Sequence, residues 1–141
     1  MTVETTFPFE LFSPTRQVPA VEVTLVELPA IDGEVGILAG HENLVGLLGT
    51  GPLKYVAGGN DYWLMVSSGA YQVVDRKLVV IAELIEDSKG VDPEATRAHI
   101  AQLETAMAGK ALETPEFTAL ELDYKREKAR LEVHRRVELV N

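Results

Sequence analysis

The sequence predicts an α+β fold, with an N-terminal antiparallel β-sandwich in residues 1–87 and a C-terminal antiparallel two-helix hairpin in residues 88–141. In the first part, hydrophobic residues alternate with polar ones, which is the period of a strand with one buried face. In the second part they recur every three or four residues, which is the period of a helix. The polar segment 86–91 separates the two periods.

The predicted strands follow one another with only turns between them. Phe7, Phe9 and Leu11 mark the first strand, and Ser-Pro-Thr-Arg at 13–16 is a turn. In residues 21–28 the alternation of apolar and polar residues shifts by one position after Leu25, and we interpret this shift as a β-bulge.

Two hairpins are predicted in the rest of the first part. Residues 58–61 (Gly-Gly-Asn-Asp) separate two apolar runs, and residues 75–77 (Asp-Arg-Lys) separate the last two strands. Short strands joined by such turns, with no helix between them, are typical of an antiparallel sandwich.

Both helices begin at a recognisable cap. Asp92 precedes a proline at the first helical position, and Gly109 is a natural stop for this helix. Thr114 repeats the same capping pattern, and the second helix can run to about Leu139, about 37 Å at ~1.5 Å per residue. The short connection forces the helices to be antiparallel. Because the first helix is rich in alanine, it supplies little apolar area, and we expect a weakly held, movable arm.

Composition excludes several classes of protein. The chain has 141 residues, no cysteine and a net charge of -9, whereas nucleic-acid binding requires a basic surface. No apolar run reaches the roughly 18 residues of a membrane span, and Met1 to Glu4 show no signal-peptide pattern. We therefore expect no direct membrane insertion, and any link to a membrane through a protein partner.

Residues 32–53 carry a resemblance to a known family. They contain Gly-Glu-Val-Gly-Ile-Leu-Ala-Gly-His at 33–41, followed by apolar residues and a Gly-x-Leu step at 51–53. This segment is similar to the signature of ATP synthase epsilon subunits, in which a proline usually stands at the position of Ala39. Residues 9–16, 67–73 and 78–83 resemble other parts of the same family, with Ser68 at a usual glycine.

The resemblance implies a non-catalytic rotor subunit of the proton-translocating ATP synthase, coupling proton flow to ATP synthesis at the cytoplasmic face of the bacterial inner membrane. Its partners would be the gamma subunit, the ring of c subunits and the alpha/beta catalytic hexamer. By motif position, Glu34 and His41 would lie in one exposed foot loop that contacts the c-ring. Glycine-flanked polar residues in such a loop are suited to hydrogen bonding with another protein.

Six basic residues of the second helix admit two interpretations. They are a solvated helix face, or, as the resemblance implies, contacts to acidic segments of the beta subunits through which the extended arm blocks ATP hydrolysis. The residues are Lys125, Arg126, Lys128, Arg130, Arg135 and Arg136.

Some members of the family bind regulatory ATP at the hairpin. Glu86 and Asp92 stand at the acidic positions of that motif, but Arg97 comes two residues late, which turns it roughly 200° around the helix. We expect weak ATP binding or none, and no other cofactor.

Two further hypotheses come from other classes of protein. One is a free-standing β-sandwich module that binds an unrelated partner. The other is a small hydrolase or metal enzyme built on Asp32, Glu34 and His41, which lacks a second histidine and a nearby nucleophile. We therefore predict no catalytic residue and no metal site.

Overall fold

A computed structural model of the chain describes residues 5–140, apart from the side chain of Val140. Within this range the chain forms seven strands followed by two helices, so the predicted α+β class is confirmed. The elements are β1 (Phe7–Phe12), β2 (Gln17–Val23), β3 (Leu25–Ala30), β4 (Gly33–Leu38), β5 (Leu44–Ala57), β6 (Asn60–Val74), β7 (Lys77–Glu86), α1 (Pro93–Ala108) and α2 (Pro115–Val140).

The strands hydrogen-bond in the order β2-β1-β7-β6-β5-β3-β4 and close over one core. The rings of Phe9 on β1 and Tyr55 on β5 are in tilted contact, 5.4 Å between ring centroids, although two other strands separate β1 from β5 in the sheet. The sheet therefore bends over on itself, and its two layers share the buried side chains. Neighbouring strands are antiparallel except β1 and β7, which run parallel, a pairing that the sequence did not predict.

The predicted bulge near Leu25 is wrong, because the chain changes layers there. β2 ends at Val23 and β3 begins at Leu25, with a bend at Thr24. β2 pairs with β1, whereas β3 pairs with β4 and β5. Val23 and Val26 are both fully buried because each faces the same core from a different layer.

β6 also passes from one layer to the other, at Ser68 and Gly69. The pairing of β6 with β5 and with β7 is interrupted at Ser68 and resumes at Gly69. Ser68 has a φ of 58° and Gly69 a φ of 147°, both outside the range that strands normally use. This corner lets one long strand serve both layers.

The two predicted hairpins are confirmed. Gly58 and Gly59 have φ values of 58° and 80°, which are the left-handed conformations that a two-residue hairpin turn requires. Asp75 and Arg76 adopt the same conformation at φ values of 51° and 68°, between Val74 and Lys77.

The helical caps are also as predicted. The Asp92 carboxylate accepts hydrogen bonds from the backbone N–H groups of Glu94 and Ala95, and Thr114 Oγ1 accepts one from Phe117. The second helix packs against the sandwich, where Met65, Ala129 and Val133 form a small buried cluster with Trp63, Leu84 and Val137. The arm is thus folded down in this structure.

Candidate functional site

The outer side of the sheet carries an exposed apolar face. Leu47 on β5 lies opposite Ala70 on β6, which lies opposite Ile81 on β7, so that the three form one row across the sheet. Leu47 is 59% and Ile81 58% exposed. Val45 lies two residues from Leu47 on the same strand face, and the Ile31 N–H donates to the Leu47 carbonyl at 3.1 Å. We call Ile31, Val45, Leu47, Ala70 and Ile81 the apolar face.

An apolar surface of this kind is suited to binding another protein. Inward-facing neighbours such as Leu48 and Val80 fill the core, whereas the members of the apolar face are all exposed to solvent. Scattered exposed hydrophobic residues are normal, but a contiguous group on one face of a sheet indicates an interaction site.

Glu34 and His41 do not share one loop, so the predicted arrangement of the foot loop is wrong. Glu34 belongs to β4, where it lies opposite Pro29, and His41 follows the far end of the same strand. Glu34 and Leu38 are roughly 13 Å apart at ~3.3 Å per residue, and a turn closed by a hydrogen bond from the His41 N–H to the Leu38 carbonyl then leads to His41. His41 is exposed, with its Nδ1 2.9 Å from the carbonyl oxygen of Glu42.

The Glu34 side chain, on β4, contacts a row of side chains that runs across β3, β5 and β6. In this row Glu27 lies opposite Lys54, and Lys54 lies opposite Trp63. Lys54 Nζ is 2.7 Å from Glu27 Oε1. A hydrogen bond with Glu27 is the main cause that raises the pKa of Glu34, and burial adds to it. The hydrogen bond from Lys54 is the main cause that lowers the pKa of Glu27. As pH falls, Glu34 is therefore the first of the two to take a proton.

Glu34→Gln is expected to stabilise the chain at neutral pH. A carboxyl group whose pKa is higher in the folded than in the unfolded chain stabilises the fold at pH values below 4.5, its usual pKa. That stabilisation is lost as the pH rises through the pKa of the folded chain. At pH 7 the negative charges of Glu27 and Glu34 lie next to each other. The glutamine side chain removes one of these charges, and its amide can still donate a hydrogen bond to Glu27. We expect the melting temperature at pH 7 to rise by about 1–3 °C, with the gain disappearing near pH 4.

Glu27→Gln is the matched control for this prediction, because it removes the partner of Lys54 and should lower the melting temperature at pH 7. An equal gain for Glu34→Gln at pH 7 and pH 4 would contradict the proposed cause.

Two of the six basic residues of α2 are held by hydrogen bonds to side chains of the sandwich. Arg126 Nε donates to Ser67 Oγ at 2.8 Å, and its guanidinium lies 3.7 Å from Glu83. Arg130 donates to both carboxylate oxygens of Glu86, at 2.7 and 3.0 Å.

The other four have partners on α2 itself or on Trp63. Lys125 pairs with Glu121, and Arg135 with Glu132. Lys128 lies over the ring of Tyr124 at 5.6 Å, while Arg136 pairs with Glu132 and lies 5.3 Å from the ring of Trp63.

A buried carboxylate on α2 joins the two helices and was not singled out from the sequence. Glu127 is 8% exposed; it accepts from Arg130 at 2.7 Å, and its other oxygen is 2.8 Å from His99 Nδ1 on α1. Burial raises the pKa of Glu127, but the hydrogen bonds from Arg130 and His99 outweigh burial and lower it. The spacing of Glu127 and Arg130, three residues apart on a helix, was a visible signal, whereas the contact to His99 was not.

Comparison with known proteins decides the family. Residues 6–88 match the family described as ATP synthase, Delta/Epsilon chain, beta-sandwich domain. The chain is 33% identical over 105 residues to an ATP synthase epsilon chain of Rhodopseudomonas palustris, covering 74% of this chain and 78% of the relative. The chain belongs to the ATP synthase epsilon family. It is also 37% identical over 95 residues to the ATP synthase epsilon chain of Nitratidesulfovibrio vulgaris, covering 67% and 71% of the two chains.

Solved structures share the fold of this epsilon-family chain. A chain of the Euglena gracilis mitochondrial ATP synthase, in an assembly of OSCP, F1 and c-ring, superposes with a TM-score of 0.72 at 18% identity, covering 99% of this chain and 84% of that one. A chain from the Tetrahymena thermophila mitochondrial ATP synthase central stalk and c-ring gives 0.55 at 15% identity, covering 92% and 94%. These likenesses extend over the sandwich and the helices alike.

The residues that would mark regulatory ATP binding in this epsilon-family chain are brought together only in part. Glu86 and Asp92 line one cavity of about 470 Å³ beside Arg130, whereas Arg97 lines a neighbouring groove between the helices that Asp92 also borders. Arg130 is already held by Glu86 and Glu127, and Asp92 caps α1. This set of residues fits a triphosphate poorly, and the weak or absent binding of ATP stays a prediction.

Other kinds of site have no support among residues 5–140. No group of three or more His, Cys, Asp or Glu residues in this range could hold a metal ion. Neither α1 nor the described part of α2 is long and apolar enough to cross a bilayer.

Proposed function

We propose that this epsilon-family chain is a non-catalytic rotor subunit in the central stalk of an F-type ATP synthase, and that it couples proton flow through the c-ring to ATP synthesis. It would work at the cytoplasmic face of the bacterial inner membrane as a peripheral part of the complex. Family membership supports this role, as does the likeness to chains from assemblies whose titles name F1, the central stalk and the c-ring.

The observation that carries the proposal is the apolar face. A subunit that transmits torque needs a rigid contact with the rest of the rotor, and a row of aliphatic side chains on a sheet supplies one. Leu47 and Ile81 stand on two different strands that are both fixed by the core behind them. We assign the gamma subunit to this face, because burying apolar area contributes roughly 25 cal/mol per Å² to such an association.

We assign the c-ring contact to Glu34 and His41, at the two ends of β4. Because they stand at opposite ends of β4, more than ~10 Å apart by the rise of the strand, they call for a partner with several similar loops side by side, and a ring of identical subunits presents such a repeated surface. Both residues are exposed, and the Glu34 carboxyl shares a hydrogen bond with Glu27.

Co-purification from cells tests the assembly. A tagged full-length chain should bring down both gamma and the c-ring. The double variant Glu34→Ala/His41→Ala should keep gamma and lose most of the c-ring. A chain that retains neither partner would instead support a free-standing sandwich module.

The arm restrains ATP hydrolysis in this proposal. The helix α2 is about 39 Å long at 1.5 Å per residue. When the arm is extended, α2 would carry its basic residues to acidic segments of the beta subunits. Truncation after Ser88 should raise the ATPase rate of the assembled complex about twofold or more, without changing the amount of assembled complex. An unchanged rate would show that the arm has no inhibitory role.

A further inference from the structure

Two strands end the sheet, and only one of them is protected against pairing with a further strand. β2, at one end, carries Pro19 in its middle, and its register with β1 shifts between Phe9 and Leu11. Proline and irregular pairing are devices by which natural proteins block an exposed edge. β4, at the other end, has neither proline nor lysine, and its register with β3 is unbroken from Gly33 to Leu38. We call β4 the open edge.

The backbone of the open edge points outward at alternate residues. Pro29, which lies opposite Glu34, has no N–H, so these two residues cannot exchange a pair of hydrogen bonds. In an antiparallel ladder, pairs with and without mutual hydrogen bonds alternate, and in the second kind the backbone groups turn away from the partner strand. The N–H and C=O groups of Glu34 and Gly36 therefore face away from β3. Within residues 5–140, the one backbone–backbone bond that reaches β4 from outside its pairing with β3 runs from the His41 N–H to the Leu38 carbonyl.

The space beside the open edge is free for an added strand. A methyl group on Gly36 would meet no atom within 4 Å, and Leu38 is 59% exposed. Glu34 is exposed too, whereas Val35 is half-buried and Ile37 is fully buried. A strand that pairs with β4 would thus meet one acidic and one apolar side chain on the solvent face, with a glycine between them.

The charge at the open edge calls for a basic partner. The Glu34 carboxyl shares a hydrogen bond with Glu27, and Glu27 engages the Lys54 ammonium group at 2.7 Å. A basic side chain brought to Glu34 would offset the repulsion between the two carboxylates. A second copy of this chain does not offer one along its own open edge, because β4 has no basic residue and each copy carries a net charge of -9.

We propose that the c-ring binds this chain by strand addition. One loop of a c subunit lies extended along the open edge, pairs with the backbone of Glu34 and Gly36, and brings a basic side chain to the Glu34 carboxylate. Glu34 and His41 stand at the two ends of β4, so a partner that contacts both follows the edge between them. In strand addition, main-chain hydrogen bonds supply affinity and side chains supply specificity. That the partner is the c-ring rests on the function proposed above, whereas the outward backbone of β4 does not.

Hydrogen exchange of single backbone amides tests the pairing without any substitution. Three samples are compared: the free full-length chain, its complex with gamma and the catalytic hexamer, and the complete complex with the c-ring. The amides of Glu34 and Gly36 should exchange freely in the first two samples and about 100-fold more slowly in the third. The amides of Val35 and Ile37, which face β3, are the internal control and should be slow in all three.

The three samples separate this inference from the proposed function. Slow exchange of Glu34 and Gly36 already in the complex without the c-ring would overturn the c-ring as the occupant of the open edge. Free exchange of both amides in the complete complex would overturn strand addition, although the chain would still be a subunit of that complex. A chain that enters neither complex would contradict the proposed function and this inference together.

Gly36→Pro removes one outward N–H group and leaves the bonds between β4 and β3 in place. It should lower the amount of c-ring that co-purifies with the tagged chain about fivefold or more, without loss of gamma. Gly36→Ala is the matched control, because it keeps the N–H group and its methyl group meets no atom within 4 Å. It should retain the c-ring at the parental level. Equal retention of the c-ring by the two variants would show that the Gly36 backbone makes no such contact, and the proposal would be wrong.

Discussion

Gly69→Ala is expected to destabilise the sandwich by about 3 kcal/mol or more, lowering the melting temperature by roughly 10 °C or more. A Cβ at this position would lie 1.9 Å from the carbonyl oxygen of Ile81 and 3.0 Å from the Cα of Ala82. Both are backbone atoms of the neighbouring strand β7, which cannot move aside as a side chain can. The φ of 147° adds strain for any residue with a Cβ.

Ser68→Gly is the matched control for this prediction, one residue earlier in the same corner. Ser68 already adopts a positive φ of 58°, so glycine relieves backbone strain and should change stability by only about 0–1 kcal/mol, in the stabilising direction. Thermal unfolding followed by circular dichroism compares the two variants. If Gly69→Ala melts within about 3 °C of the parent, the corner is not the rigid element that the geometry indicates.

Leu47→Asp is expected to weaken binding to the gamma subunit at least 100-fold while leaving the isolated chain folded. Leu47 stands at one end of the row that continues through Ala70 to Ile81 and is 59% exposed in the free chain, so the aspartate remains hydrated there. In an apolar interface the same carboxylate would lose its water without gaining a partner, at a cost of about 3 kcal/mol or more. Calorimetric titration of gamma with each variant measures the change.

Leu112→Asp provides the control, because it makes the same substitution at a leucine that is 74% exposed in the turn between the helices. Ile81→Asp, on another strand of the same row, should reproduce the loss. If Leu112→Asp weakens gamma binding as strongly as Leu47→Asp, the gamma contact lies elsewhere.

Much of the fold could be predicted because its signals are local. The Gly-Gly turn at 58–59 and the Asp-Pro cap at 92–93 each require a particular backbone conformation, and few residue types supply it. The change of layer at Thr24 could not be distinguished from a bulge, since both shift the apolar phase by one residue. The parallel pairing of β1 with β7 leaves no mark on either strand, because each alternates as an antiparallel strand would.

The candidate sites were predicted less completely than the fold. The position of Glu34 in the motif identified it as a candidate. The contact of its side chain with Glu27 depends on the register of β4 with β3, and no local sequence pattern indicates that register. The basic residues of α2 were found by charge alone. Their division into two groups depends on Ser67, Glu83 and Glu86, which lie about 40 or more residues away in the chain and show no local pattern.

The parallel pairing of β1 with β7 has a consequence for synthesis of the chain. Phe9 lies opposite Leu78, so 69 further residues (78 - 9) must be synthesised before β7, the second neighbour of β1 in the sheet, is present. At about 5–20 residues per second this delay lasts several seconds, during which Phe9 and Leu11 have only β2 to pair with. The nascent chain thus exposes its first strand to chaperones and to other chains until translation reaches β7. Pairings of such high contact order also fold slowly once complete.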